Sequence, residues 1–285
     1  PNLLRVAGKR KVPAVQANAR LSPRSARRYE QFKVVTAPVL GMLRMVCDQA
    51  DDHAKQWEAI GVPAKRIQVT GSVKFDSDGS VRPRRRPEFE AMVEAFGRGR
   101  PVVMAVSTHH GEEVRVADAL RDHPEFLPVL VPRHAERREL VLGELASSGF
   151  EVVLRSRFVA PVDPMKAVLV VDSTGELRDW TAGADVVVIG KSFLARGGQN
   201  PAEAIAAGLP VVCGPHMENF EPLISELREA GAVRDASMET LGEVVAEVLG
   251  DSRGRRTMTE AASAVLARHS GATKRTVDVL ECLAR

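Results

Sequence analysis

Short runs of β-branched and aliphatic residues alternate along this chain with longer stretches in which apolar residues recur at helical spacing. The runs predict strands at 12–17, 43–47, 66–70, 101–106, 127–131, 151–154, 167–171, 185–189 and 210–213. Helical periodicity fills most of the intervals, including 112–121, 135–147 and 202–207. Alternation of this kind predicts an α/β fold of parallel sheets covered by helices on both faces. The rhythm breaks near 76–87, a polar, basic, proline-containing stretch that reads as a linker between two α/β units. The expected boundaries are a first lobe over 1–76, a linker over 77–87 and a second lobe over 88–267. A C-terminal helix over 268–285 is expected to return to the first lobe. The second lobe has strands enough for a complete doubly wound sheet. The first has about three, too few to close its own core.

Composition narrows the class. The chain has 285 residues, 44% hydrophobic and 27% charged, with a net charge of +3 and a pI near 8.9. That mild basicity suits anionic ligands but is too dispersed to predict nucleic-acid binding, and 4% aromatic residues leave little for base stacking. Cys47, Cys213 and Cys282 are odd in number, widely spaced and without a CxxC, as expected of reduced thiols in a cytoplasmic protein. No apolar run reaches the length of a membrane span. The chain starts at Pro1 without a signal-peptide pattern and is expected to be the later part of something longer.

The most informative stretch is RGGQNPAEAIAAGLPVVCGPHMENF, residues 196–220. Asn200 is a suitable N-cap, Pro201 suits the first helical position, and Glu203 completes an N-x-x-E variant of the capping box. A helix starting just after Gly197 and Gly198 is expected to present free backbone N–H groups to a phosphate or carboxylate. The plainer alternative is a well-capped helix after a tight turn.

Ligands of doubly wound sheets bind beyond the carboxyl ends of the strands. Four motifs of the second lobe fall there: STHHGEE at 107–113, PRH at 132–134, DSTGEL at 172–177, and GKSFLARGGQNPAE at 190–203. Ser107 or Thr108 reads as an N-cap able to contact a ligand anion as well. His109 and His110 beside Glu112 and Glu113 suggest a metal, but adjacent loop histidines diverge and no third ligand is spaced to join them, so no metal is predicted. Arg133 either pairs with Glu136 on the surface or makes a forked contact to a phosphate or carboxylate, the reading favoured by its place on the rim. Ser173 and Glu176 form a second capping box. Glu203 is either a cap alone or also a bidentate acceptor for two ribose hydroxyls. His216, after a further strand, either closes over a ligand or bonds to backbone. The arginine-rich residues 82–86 read as solvated linker.

These motifs together resemble the 3-deoxy-D-manno-octulosonic acid (Kdo) transferases, GT-B glycosyltransferases of lipid A biosynthesis. NARLSPRS at 18–25, GSVKFD at 71–76, STHHGEE, PRHAER at 132–137, DSTGEL, RGGQNPAEA and GPHMENF follow the family's motifs in the family's order. The resemblance implies two Rossmann-like lobes, the N-terminal one incomplete here. It implies CMP-Kdo as donor, a lipid A precursor as acceptor, inverting transfer without a metal or other cofactor, and work at the cytoplasmic face of the bacterial inner membrane. By the same resemblance, Arg133, His134, Ser173, Thr174, Gly175, Glu176, Gly197, Gly198 and Asn200 hold the CMP moiety, with Glu203 on its ribose. Ser107, Thr108 and Lys74 fall nearer the sugar and an interdomain cleft, to which Asn219 also belongs, and His216 closes the donor site.

The chain departs from that pattern at three places. Lys191 replaces the second glycine of a usual Gly-Gly-Ser, Gln199 stands where histidine is usual, and Ser173-Thr174 replaces a Thr-Met pair. Donor binding is expected to survive, since Gln199 still donates a hydrogen bond. The family's general base and its apolar membrane-docking surface are expected upstream of Pro1, because no carboxylate in 1–76 matches the motif; Asp51 and Asp52 read as solvated surface. The two alternatives are another GT-B enzyme using a UDP-sugar, and a nucleotide-binding module without turnover.

Overall fold

The computed structural model describes residues 2–76, 83, 84, 86–97, 99–159, 163 and 165–284, without the side chains of Pro23, Asp51, Asp52, His53 and Ala284. The surface reading of Asp51 and Asp52 therefore lies outside the described residues, as does most of the linker over 77–87. The chain divides into two compact units, 1–77 with 269–285, and 78–268.

The first unit opens with α1 (Asn2–Lys9), β1 (Ala14–Ala19), α2 (Pro23–Gln31), α3 (Lys33–Leu40), β2 (Leu43–Asp48), α4 (Asp51–Ala59) and β3 (Ile67–Val69). Its three strands pair in parallel in the order β1-β2-β3. The central strand β2 is the most buried, and Leu43 and Val46 pack with Ala19, Leu21, Trp57, Ile60 and Val62 into one small core. Ser22 caps α2, its hydroxyl accepting from the Ser25 N–H at 3.2 Å.

The second unit runs through α5 (Pro87–Gly97), β4 (Val102–Thr108), α6 (Glu112–Ala119), β5 (Leu127–Pro132), α7 (Arg138–Ser147), β6 (Glu151–Leu154) and β7 (Ala167–Val170). It continues with α8 (Leu177–Thr181), β8 (Val186–Ile189), α9 (Ala202–Ala206), β9 (Val211–Cys213), α10 (Leu223–Glu229), β10 (Arg234–Asp235), α11 (Leu241–Gly250) and α12 (Ser252–Arg268). Seven parallel strands lie in the order β10-β9-β8-β4-β5-β7-β6. The strands β4, β5, β7, β8 and β9 are almost wholly buried, which is why they read as valine-rich, mainly apolar runs without an alternating polar face. After β4 the chain builds outward through β5, then crosses to lay β8 on the other flank. The crevice between the carboxyl ends of β4 and β8 is thus the topological switch point.

Two expectations change here. Arg86 is not solvated linker: its guanidinium lies 2.5 Å from Asp179 and 3.4 Å from Glu176, and it anchors the start of α5. The strand β10 has no counterpart in the sequence reading, because both its residues are polar and exposed.

The chain ends in α13 (Ala272–Ala284), which belongs to the first unit. Asp76 accepts from the N–H groups of Gly271 at 2.7 Å and Thr273 at 2.6 Å, capping α13 from far away in sequence. Arg275 donates to the Thr70 carbonyl at 2.9 Å, and the hydroxyls of Thr276 and Thr70 meet at 3.1 Å. Partial burial works against ionisation of Asp76, but the Thr273 and Gly271 hydrogen bonds and the nearby Arg275 outweigh it and hold the carboxyl below its usual range.

Candidate functional site

Beyond the carboxyl ends of β4 and β5, the second unit encloses a hollow of about 240 Å³. Ser107 at the end of β4, Arg133 just after β5, and Gln199, Asn200 and Glu203 around the start of α9 line it, with Leu177 and Thr181 of α8 opposite. Four of the residues singled out in the sequence, Ser107, Arg133, Asn200 and Glu203, therefore share one concavity.

Arg133 and Glu203 are both exposed. They form no ion pair with each other, and neither side chain has a charged or hydrogen-bonding partner among the described residues. The proposed surface pair of Arg133 with Glu136 does not form. An open guanidinium and an open carboxylate on one small concave wall can take one anion and one pair of hydroxyls.

The caps differ from expectation. The Asn200 side chain accepts from the Ala202 N–H at 3.0 Å, but Glu203 accepts no hydrogen bond in return, so no capping box forms and its carboxylate stays open to the hollow. Ser107 and Thr108 cap nothing, because α6 starts at Glu112 after Gly111. Thr108 is fully buried and donates to Glu113 at 3.0 Å, which removes it from any surface a ligand reaches.

The glycine pair also has another purpose. The Gly197 N–H donates to Glu218 at 2.8 Å and the Gly198 N–H to the Lys191 carbonyl at 3.1 Å, so neither points free at an anion. A Cβ on Gly197 would lie 2.4 Å from Asn219 Nδ2, and one on Gly198 only 2.3 Å from Met217 Sδ. Both glycines have positive φ, 113° and 68°. They let the 196–200 loop and the 216–220 loop touch backbone to backbone.

The acidic residues of STHHGEE are scaffolding. Glu112, buried, accepts from the N–H groups of His109 at 2.9 Å, Lys191 at 2.6 Å and Phe193 at 3.4 Å, tying the loops after β4 and β8 together. Glu113 holds Arg137 bidentately at 3.0 and 3.2 Å. Among the described residues, no group of three His, Cys, Asp or Glu side chains is placed to hold a metal ion.

His109 lies next to this wall. Its Nε2 is 3.0 Å from Gln199 Nε2, and its ring meets the His134 ring edge-on with centroids 6.3 Å apart. Burial, then the Lys191 charge, with smaller effects of His134 and Arg137, lower its pKa against the opposing pull of Glu112, so the imidazole is neutral at pH 7.

The DSTGEL loop approaches from the β7 side. Asp172 is buried and accepts from the Ser156 N–H at 2.9 Å and its hydroxyl at 2.5 Å. Ser173 donates directly to the Glu176 side chain and does not cap a helix, since α8 starts only at Leu177. Glu176 is held by Arg155 at 3.0 Å and approached by Arg86. Thr174 and Gly175 form an exposed tip with φ 81° at the glycine. These four residues stand beside the hollow without lining it, as do Thr108, His134, Gly197 and Gly198. His216 faces Glu218 at 3.6 Å, and its N–H donates to the Ser192 carbonyl at 3.0 Å. The Asn219 N–H donates to the Gly197 carbonyl at 3.1 Å. Lys74 is exposed on the turn after β3, in the first unit.

Leu177, Thr181 and Ala204 line the hollow without having been singled out as site residues, and Gln199, noted as a departure from the family's pattern, lines it too. Helical spacing was the available signal: Ala204 lies one turn after Asn200, and Thr181 one turn after Leu177.

The family model of 3-deoxy-D-manno-octulosonic-acid transferase matches residues 1–77. The 3-deoxy-D-manno-octulosonic acid transferase of Bordetella pertussis is 35% identical over 292 residues, covering 99% of this chain and 66% of that protein. The enzyme of the same name from Haemophilus influenzae is 30% identical over 287 residues with the same coverage. This chain belongs to the Kdo transferase family. It spans 66% of the length of those two relatives. Among solved structures, the C-terminal CMP-Kdo binding domain of WaaA from Acinetobacter baumannii superposes with a TM-score of 0.56 at 25% identity, covering 63% of this chain and 97% of that one. Anabaena Alr3699/HepE, solved with UDP-glucose, superposes over 99% of this chain and 74% of its own with a TM-score of 0.62. At 14% identity that likeness shows the fold alone, the GT-B type with two parallel α/β units, the N-terminal sheet being the smaller.

Proposed function

We propose that the second unit binds CMP-Kdo and that this protein transfers Kdo to a lipid A precursor at the cytoplasmic face of the inner membrane. The observation that carries the reading is the pair Arg133 and Glu203, open and facing one hollow at the carboxyl edge of the sheet. Membership of the Kdo transferase family and likeness to a domain described as CMP-Kdo binding support CMP-Kdo as the ligand.

In this reading Glu203 accepts from the two ribose hydroxyls while Arg133 meets the phosphate. Asn200 and Ser107 complete the wall. The DSTGEL tip and the PRH histidine, His134, flank the nucleotide, and His216 flanks the donor from the next loop. Transfer breaks the bond between the anomeric carbon and the phosphate oxygen, with the electron pair leaving on CMP. The acceptor hydroxyl attacks the opposite face, inverting the carbon, and its proton passes to a general base. Arg133 neutralises charge where it accumulates on the departing phosphate. A single phosphate asks for less neutralisation than a diphosphate, which supports transfer without a metal.

Calorimetric titration with CMP and with UDP tests the proposal. CMP binding that weakens in both Arg133→Ala and Glu203→Ala is the expected result. A preference for UDP, or CMP affinity indifferent to both substitutions, would overturn it.

A further inference from the structure

Lys191 holds a left-handed backbone conformation, φ 55°, that an L side chain adopts only at a cost. Nothing local demands a side chain there. Its N–H goes to Glu112 at 2.6 Å and its carbonyl to the Gly198 N–H at 3.1 Å, bonds that glycine would make equally well. The position is also fixed tightly, since a Cβ on the preceding Gly190 would lie 2.6 Å from the Ser107 carbonyl oxygen. A strained residue held in place by its surroundings is a mark of functional sites.

Its surroundings say what the side chain could serve. Among the described residues the Lys191 ammonium has no carboxylate partner. Ser107 on one side and Gln199 on the other both line the hollow, and Lys191 lies between their loops without lining it. Arg133 already supplies a cation inside. Two unpaired cations, one within the hollow and one beside it, fit a ligand with two anionic groups, one held within the nucleotide pocket and one beyond it.

We propose that Lys191 is a specificity-determining residue of the donor site, whose ammonium receives the carboxylate on the sugar of a nucleoside-monophosphate sugar acid. The inference rests on the CMP-Kdo reading above and adds to it a residue that discriminates acidic from neutral sugars. Cationic His109 beside Lys191 would compete for the same anion; the depressed pKa of that imidazole leaves the lysine as the charge in place.

The test compares CMP with freshly prepared CMP-Kdo by calorimetry on the whole chain, in the wild type, Lys191→Gly and Lys191→Met. Lys191→Gly relieves the backbone and keeps both main-chain bonds, so its melting temperature is expected to rise, while Lys191→Met keeps the side-chain bulk and the strain. Both variants are expected to bind CMP as the wild type does and to bind CMP-Kdo about tenfold more weakly, the scale of one hydrogen bond to a charged group. Unchanged CMP-Kdo affinity in both variants would overturn the proposal, and so would equal loss for CMP and CMP-Kdo, which would put the ammonium on the phosphate. Failure of the wild type to bind CMP at all would sink the nucleotide reading itself.

Discussion

The Lys191 N–H donates at 2.6 Å to the buried carboxylate of Glu112, a residue 79 positions earlier. The same carboxylate receives the His109 and Phe193 N–H groups, so one side chain sets the spacing of the β4 and β8 loops at the switch point. Glu112→Ala leaves those donors without an acceptor in a buried place and is expected to destabilise the second unit by about 3 kcal/mol. Urea denaturation measures this, and a change within error would mean that water replaces the carboxylate.

Arg133 and Glu203 separate binding from folding. Neither has a protein partner among the described residues, so Arg133→Ala and Glu203→Ala are expected to leave the melting temperature unchanged. Each is expected to weaken CMP by about 1.5–3 kcal/mol, the scale of hydrogen bonds to charged groups. A fall in stability together with affinity would show that the open side chains have structural work after all.

Gly198→Ala tests the contact between the two ligand-side loops. The added Cβ meets Met217 Sδ at 2.3 Å and the His216 carbonyl oxygen at 3.0 Å, on a backbone at φ 68°. A loss of about 2 kcal/mol in stability is expected from strain and crowding together. Met217→Ala in the same chain is expected to restore part of it, leaving the φ cost; a double-mutant cycle reads the coupling. Additive effects would mean the loops do not press on each other.

Asp76 gives a pH signature to the first unit. Its folded pKa is lowered, so its contribution to stability is present above the unfolded value and is lost as pH falls through the folded one. Asp76→Asn is expected to cost about 1 kcal/mol at pH 7, the scale of a helix cap, and the difference from wild type should shrink as pH falls from the usual carboxylate range through the lowered folded pKa, below which both carry an uncharged side chain. A mutant penalty constant from pH 7 to pH 3 would exclude the charge as its source.

Much of the fold was legible in the chain because buried parallel strands leave an unmistakable mark: β6 falls on the residues the Glu-Val-Val-Leu run predicts, and β4, β5 and β8 within a residue or two. The small strand β10 carries no such mark, since Arg234 and Asp235 pair by backbone alone. The site was legible in part. Arg133, Asn200, Glu203 and Ser107 do converge, as their places after strands implied. What the sequence hid was partnership. A glycine that frees an N–H and a glycine that admits a neighbouring loop are the same letter, and only the Met217 and Asn219 contacts distinguish them. Thr108 looked like a ligand residue because its acceptor Glu113 is fixed by Arg137, 24 positions away in the sequence. Glu176 met its arginines from 21 and 90 positions away.

That last arrangement bears on how a dianion would enter. A carboxylate at the mouth of a phosphate site ordinarily repels what the site is meant to collect. Arg155 and Arg86 offset Glu176 internally, so that carboxylate presents an approaching nucleotide with little field of its own. Arg133 and Lys191, which have no carboxylate partner among the described residues, add to the attraction, and salt weakens their share of the capture rate.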